Sequence, residues 1–270
     1  MAQRIGFIGI GNQGAPIARR IVDAGFDLSL WARRSAALAE FADTPARIVG
    51  SVEELGAQCD VVGLCVLADA DVAEVAGRLL SAMQPGSVLL IHSTVSPQLC
   101  RDLARRGEGR GIAVLDAPVS GGNARAREGK MAVMVGGPAD VFERVRPVLA
   151  TFATTVVRLG DVGAGQLGKL VNNAVTTAKF SVSLAFLDAG EQLGLDRAAL
   201  GQAMLAGAGQ SFALERMVEA TAEGLRFALP LLEKDVGLMR AVLAEGAPGA
   251  SQAQRLMEDG IAAFRHYARD

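Results

Sequence analysis

Near the N-terminus, between a short apolar run and a helical repeat, lies Gly9-Ile10-Gly11-Asn12-Gln13-Gly14, a G-x-G-x-x-G spacing. The residues before it, Arg4 to Ile8, read as a buried strand. After it, Ile17, Ala18, Ile21 and Val22 fall on one helical face, and Gly25 stands where a helix C-terminal cap belongs. A strand, a glycine turn and a helix in that order leave few folds open. The first glycine permits a tight turn, the second lets backbone approach a ligand, and the third lets helix and strand pack closely. The helix N-terminus adds unpaired N–H groups and positive partial charge, which suit a pyrophosphate. Gly9, Ile10, Gly11, Asn12, Gln13 and Gly14 are therefore candidate dinucleotide-binding residues.

The rest of the first half continues the alternation. Residues 27–31 read as a second strand, followed by a helix around Ala36–Ala42. A strand at Val61–Leu67, a helix at Val72–Met83 and a strand at Ser87–His92 come next, with further strand-like runs at Ala113–Asp116, Met131–Val135 and Val156–Leu159. This order predicts parallel βαβ units in a doubly wound, Rossmann-type sheet, hence the α/β class. Leu67, at the end of its strand, joins the candidate cofactor contacts. The pattern changes after residue 163. From Gln166 to Leu193 there is no proline, and Leu167, Leu170, Val171, Ala174, Val175 and Ala178 keep helical register. We expect a dinucleotide-binding domain over 1–163 and an all-helical substrate and dimerisation domain over 164–270. A helix that long exceeds the usual ~10–14 residues, so the helical domain of another subunit is its expected partner, in a homodimer or higher homo-oligomer.

Composition narrows the classes further. A length of 270 residues suits two domains, and 27 basic against 29 acidic residues leave a net charge of −2, which argues against a nucleic-acid partner. The apolar run between Asp60 and Asp69 is far short of the ~20 residues that span a bilayer, and the first residues lack a signal-peptide core. A soluble, cytoplasmic protein is expected, without a membrane partner. Three cysteines suit a reducing compartment, and with two histidines at no ligand spacing they predict no metal. His92 is given no catalytic role. Cys65 reads as a buried small hydrophobe, and Phe212 and Phe227 read as core residues before pocket walls. At the end of the second strand, Trp31-Ala32-Arg33-Arg34-Ser35 lacks the acid that accepts from the ribose of NAD. Arg33 and Arg34 suit a 2′-phosphate instead, so NADP(H) is expected over NAD(H).

Three further segments carry a specific resemblance. Asp116-Ala-Pro-Val-Ser120-Gly121-Gly122, with Ala126 and Gly129, is one; Gly160-x-x-Gly163-x-Gly165-x-x-x-Lys169-x-x-x-Asn173 is another; Lys234-Asp235 is the third. With the N-terminal turn they resemble, in order and spacing, the β-hydroxyacid dehydrogenase family, which includes 3-hydroxyisobutyrate dehydrogenases and tartronate or succinic semialdehyde reductases, and is similar to the 6-phosphogluconate dehydrogenases. The resemblance implies hydride exchange between NAD(P)H and a small carboxylate-bearing β-hydroxy acid or semialdehyde. Lys169 would be the general acid/base, with Asn173 one helical turn later on the same face. Ser120, Gly121 and Gly122 would hold the substrate carboxylate through a hydroxyl and backbone amides. Thr94, in Ser93-Thr94, would lie near nicotinamide and substrate, and Lys234 would reach cofactor or substrate with Asp235 supporting it.

Two other classes compete. Imine reductases look similar overall but usually replace the lysine, and a catalytically silent dinucleotide-binding module should lack Lys169 or Asn173. The chain departs from the family in its tail. After Asp235 the resemblance implies a longer helical segment, whereas here a Gly/Ala/Pro-rich stretch at Glu245–Ser251 precedes a short end. That leaves the substrate's size and identity open.

Overall fold

The computed structural model describes residues 3–247 and 250–269. The chain divides into two compact units, Met1–Lys169 and Leu170–Asp270. In the first, the strands are β1 (Arg4–Ile8), β2 (Asp27–Trp31), β3 (Arg47–Ile48), β4 (Val61–Leu64), β5 (Val88–Ile91), β6 (Ala113–Asp116), β7 (Val119–Ser120), β8 (Met131–Gly136) and β9 (Ala153–Gly160). Between them run α1 (Gly14–Asp23), α2 (Val52–Gln58), α3 (Asp69–Ala82), α4 (Pro97–Glu108), α5 (Gly122–Glu128) and α6 (Ala139–Leu149), and a 3₁₀ turn occupies Ser35–Phe41.

The sheet order begins β3-β2-β1-β4-β5-β6, all parallel. Both faces are covered, as parallel sheets require. Along β5, Val88 and Leu90 join one apolar cluster with Ile17 and Leu28, while Leu89 and Ile91 join the other with Leu79 and Leu103. Strand order reverses direction between β1 and β4, and ligands of such sheets bind at the carboxyl ends of the strands at that point.

Three expectations need correction. The sheet is not wholly parallel: β8 runs antiparallel to β6 and β7. Because β7 continues β6, only Gly121–Lys130 connects it to β8, less than the dozen or more residues of a parallel crossover. The strand expected at Val61–Leu67 ends at Leu64: Cys65 still donates to the Ile8 carbonyl, but the Val66 N–H turns to the Ser93 hydroxyl and Leu67 emerges 63% exposed. Cys65 accordingly lies just past the strand and is only partly buried. The segment around Ala36–Ala42 is a 3₁₀ turn rather than an α-helix.

In the second unit, α7 (Ala164–Gln192), which begins in the first, is followed by α8 (Arg197–Ala206), α9 (Phe212–Val218), α10 (Ala222–Gly246) and α11 (Ser251–Tyr267). Its core is built from Phe180, Leu184, Met217, Leu225 and Phe264, and from Leu170, Val236, Met257 and Ile261. Where α11 crosses α7, a Cβ on Gly260 would lie 2.1 Å from the Thr177 carbonyl oxygen, so only glycine lets the backbones meet. Asp188 on α7 accepts from the Tyr267 hydroxyl and pairs with Arg197, tying three helices together. Phe212 and Phe227, expected in the core, are 43% and 77% exposed. Of the Glu245–Ser251 stretch, residues 248 and 249 lie outside the described residues.

Candidate active site

The three glycines of the first turn differ in what a side chain would meet. Gly9 has φ of +101°, and a Cβ there would stand 2.1 Å from the Cys65 carbonyl oxygen. At Gly14 it would stand 1.9 Å from the Gly9 carbonyl oxygen, so α1 packs directly on the turn. At Gly11 nothing lies within 4 Å. One glycine makes the turn, one admits the helix, and one leaves open space at a helix N-terminus. Gln13 caps α1 without a side-chain hydrogen bond, and no acid lies in the first helical turn. The backbone N–H groups there therefore remain suited to an anion. Ile10, by contrast, is buried and serves the core. The turn fits a dinucleotide pyrophosphate on geometry alone.

Leu67 lies past the end of β4, on the other side of the point where strand order reverses. Arg33 and Arg34, beyond the end of β2, are both exposed, and Arg33 reaches Asp71 on the first turn of α3 at 3.5 Å.

The lysine motif is set in place by a buried carboxylate. Asp116, at the end of β6, is fully buried; its Oδ1 accepts from the Gly163 N–H and its Oδ2 from the Gln166 N–H, each at 2.7 Å. Burial pushes this carboxyl above its usual range, and the backbone N–H groups pull against that. Asp116 thereby caps the start of α7 with negative charge. The glycines of the motif make room for it. A Cβ on Gly165 would lie 2.5 Å from the Met134 carbonyl oxygen and 2.9 Å from Asp116, and one on Gly136 would lie 2.5 Å from Asp116 Oδ1. Lys169, in the second turn of this helix, is 8% exposed. Spacing marks the glycines and Lys169, but Asp116 and Gln166 as partners escape a sequence reading: they meet across some fifty residues, and no local pattern announces it.

After β7, Gly121 and Gly122 have φ of +136° and +70°, backbone conformations open to glycine and rarely adopted by other residues. Ser120 precedes them at the end of β7, and a Cβ on Gly122 would meet nothing within 4 Å. The next residue, Asn123, donates from Nδ2 to the backbone carbonyl and side-chain oxygen of Asn12. The turn after β7 and the glycine turn after β1 are thus tied together, a link no spacing rule reveals.

His92 is buried and neutral. It stacks on Phe7 at 5.8 Å, its Nδ1 meets the Ala117 carbonyl at 2.9 Å, and burial pushes its imidazole down to about 4. Burial likewise raises the Cys59 thiol to about 11. Among the described residues no three His, Cys, Asp or Glu side chains cluster as metal ligands, and no helix is long and apolar enough to cross a membrane.

In the second unit, Asn173 donates from Nδ2 to Asp235 Oδ2 at 2.6 Å, and Asn172 donates to Asn173 Oδ1 at 3.2 Å. Lys234 lies 3.2 Å from the other oxygen of Asp235. That contact is an ion pair without hydrogen-bond alignment, since Asp235 Oδ1 is buried and has no hydrogen-bond partner. Asp235, expected to support Lys234, also orients the amide of Asn173.

The whole chain has known counterparts. Residues 4–160 match the NAD binding domain of 6-phosphogluconate dehydrogenase, and residues 163–268 match the family described as NAD-binding of NADP-dependent 3-hydroxyisobutyrate dehydrogenase. An L-threonate dehydrogenase of Cupriavidus necator is 34% identical over 247 residues, covering 88% of this chain and 83% of that protein. The human mitochondrial 3-hydroxyisobutyrate dehydrogenase is 30% identical, covering 87% of this chain and 74% of that one. Among solved structures, a Mycobacterium tuberculosis 3-hydroxyisobutyrate dehydrogenase with L-serine superposes with a TM-score of 0.83 at 27% identity, covering 98% of this chain and 99% of the other.

Proposed function

Because the chain belongs to the β-hydroxyacid dehydrogenase family, we propose that it interconverts a small β-hydroxy acid and its semialdehyde with NADP(H), using Lys169 as general acid/base. The coarser statement stands by itself: this is an NAD(P)-dependent hydroxyacid dehydrogenase. The observation that carries the finer one is the placement of Lys169, buried on a helix whose first turn is held by Asp116.

When bound, the nicotinamide supplies or accepts hydride at the substrate's reacting carbon. The Lys169 ammonium donates a proton to the developing alkoxide in reduction, and the neutral amine takes that proton back in oxidation. Asn173, one turn along the same helix and oriented by Asp235, aligns the lysine or the substrate oxygen. Ser120, Gly121 and Gly122 hold the carboxylate through the hydroxyl and the glycine backbone turn. Gly11, Asn12, Gln13, Leu67 and Thr94 contact the dinucleotide, Gly9 and Gly14 shape the turn with Ile10 packed in the core, and Lys234 adds a cation for the cofactor. Arg33 and Arg34, in a segment after β2 that has no acid of its own, favour the 2′-phosphate of NADP(H), although Asp71 on α3 stands 3.5 Å from Arg33. Three free cysteines among the described residues suit a cytoplasmic setting.

Lys169→Ala should lower turnover at least ~10²-fold, the usual scale for general acid–base catalysis, while NADPH still binds. Turnover near that of the unaltered enzyme would remove the lysine from the mechanism.

A further inference from the structure

Gln166 takes no part in the chemistry assigned above, yet its side chain is fully buried and both ends of its amide are used. Its Oε1 accepts from the Val95 N–H at 3.1 Å, and its Nε2 donates to the Ser93 carbonyl at 2.8 Å. One planar group thus grips the two peptide units that flank Thr94. Ser93 and Val95 are buried while Thr94 between them is half-exposed, so the grip turns Thr94 outward. The backbone N–H of Gln166 is meanwhile held by Asp116, and Lys169 follows on the next turn of the same helix. The Ser93 hydroxyl extends the linkage by accepting from Val66 N–H, next to Leu67.

We propose that Gln166 is a positioning residue that locks Thr94 to the helical turn carrying Lys169, so that the nicotinamide-side contact and the acid/base keep one fixed spacing. This rests on the dehydrogenase reading with Lys169 as acid/base. The requirement is chemically narrow: a donor and an acceptor must sit side by side at the reach of glutamine. Leucine is one bond shorter and has neither group. An ionised carboxylate still accepts from Val95 but turns an oxygen against the Ser93 carbonyl. A protonated carboxyl restores the donor and hence the grip.

The test compares Gln166→Leu and Gln166→Glu with the unaltered enzyme, measuring kcat, KM and NADPH affinity across pH, with thermal unfolding as the check on folding. Misplacing a reacting group by about 1 Å can cost ~10²-fold in rate; both variants should lose at least ~10-fold in kcat at about pH 8, with NADPH affinity changed far less. For Gln166→Glu the deficit should shrink as pH falls and the introduced carboxyl protonates. The groups facing it are Asp116, the Cys100 thiol, Asp69 and Arg101 near that thiol, and Lys169 one turn on. Burial and the two carboxylates favour the protonated form; the two cations oppose it. The Gln166→Leu deficit should not respond to pH in this way. Should Gln166→Leu fail to fold, the near-isosteric Gln166→Glu decides alone. The inference is overturned if the unaltered enzyme is active and Lys169→Ala inactive while either folded variant keeps kcat within about 2-fold, or if the Gln166→Glu deficit is flat with pH. An inactive unaltered enzyme would instead overturn the dehydrogenase reading itself, and this inference with it.

Discussion

Gly11 and Gly14 are three positions apart in one motif and should fail in opposite ways. A methyl group at Gly14 would collide with the Gly9 carbonyl oxygen, whereas at Gly11 it would enter open space. Gly11→Ala should therefore leave the folded state within about 0.5 kcal/mol yet weaken dinucleotide binding. Gly14→Ala should cost more than 1 kcal/mol, as overpacking does (~1–3 kcal/mol). Calorimetry with and without NADPH separates the two outcomes. The motif's spacing foretells three glycines; only the packed structure shows which one borders open space. His92 makes a second residue-scale case. An unfolded-state imidazole titrates near ~6.5, and burial holds this one near about 4. As pH falls through that window the unfolded chain takes up the proton first, so stability present above ~6.5 is lost on the way to about 4, by about 3 kcal/mol in all. His92→Phe should be less stable at neutral pH but should lose less stability on acidification; an unchanged slope in urea titrations would refute this. Asp116 and Gln166 were not legible as partners, because a buried polar group is satisfied by whatever the fold brings to it and not by its neighbours in sequence.

Elements with strong periodicity could be read closely. β1, β2 and β6 occur with the expected bounds, and the long helix begins at Ala164, two residues before the run at Gln166. Helices α2 and α5, each seven residues, are too short to show a periodic face, and the two-residue β3 and β7 have no pattern at all. α4 did carry a start signal, Ser96-Pro97, with the Ser96 hydroxyl accepting from Leu99 N–H. The antiparallel β8 was hidden because direction depends on connection length, not on strand composition. α7 carries a consequence of its own. Val171, Val175, Val182 and Phe186 are exposed along it, Phe186 at 64%, and Phe227 and Leu231 are exposed on α10. Exposed apolar side chains on these helix surfaces suit an interaction site, and we propose a second copy of the chain as its occupant. Sedimentation at micromolar concentration should show a homodimer or larger homo-oligomer, and Phe186→Lys should shift it toward monomer. A monomeric unaltered chain would rule the assembly out.

At the scale of the whole molecule, the division of labour follows from where backbone chemistry changes. In the first unit, glycine turns with open faces follow β1 and β7, and the helix that follows β9 carries the buried lysine. Within the second unit, Asp235 accepts from Asn173 and pairs with Lys234. Class of reaction was legible through the family that the sequence motifs resemble; the identity of the substrate was not, because side chains that shape a pocket leave no periodic signal. The most direct measurement is NADPH oxidation by the purified chain against a panel of small carboxylate-bearing semialdehydes, with the matching β-hydroxy acids and NADP⁺ in reverse and NADH in parallel. The account predicts turnover of at least one semialdehyde and its β-hydroxy acid, faster with NADP(H) than with NAD(H). Inactivity across the panel with both cofactors, in protein that still binds NADPH, would contradict it.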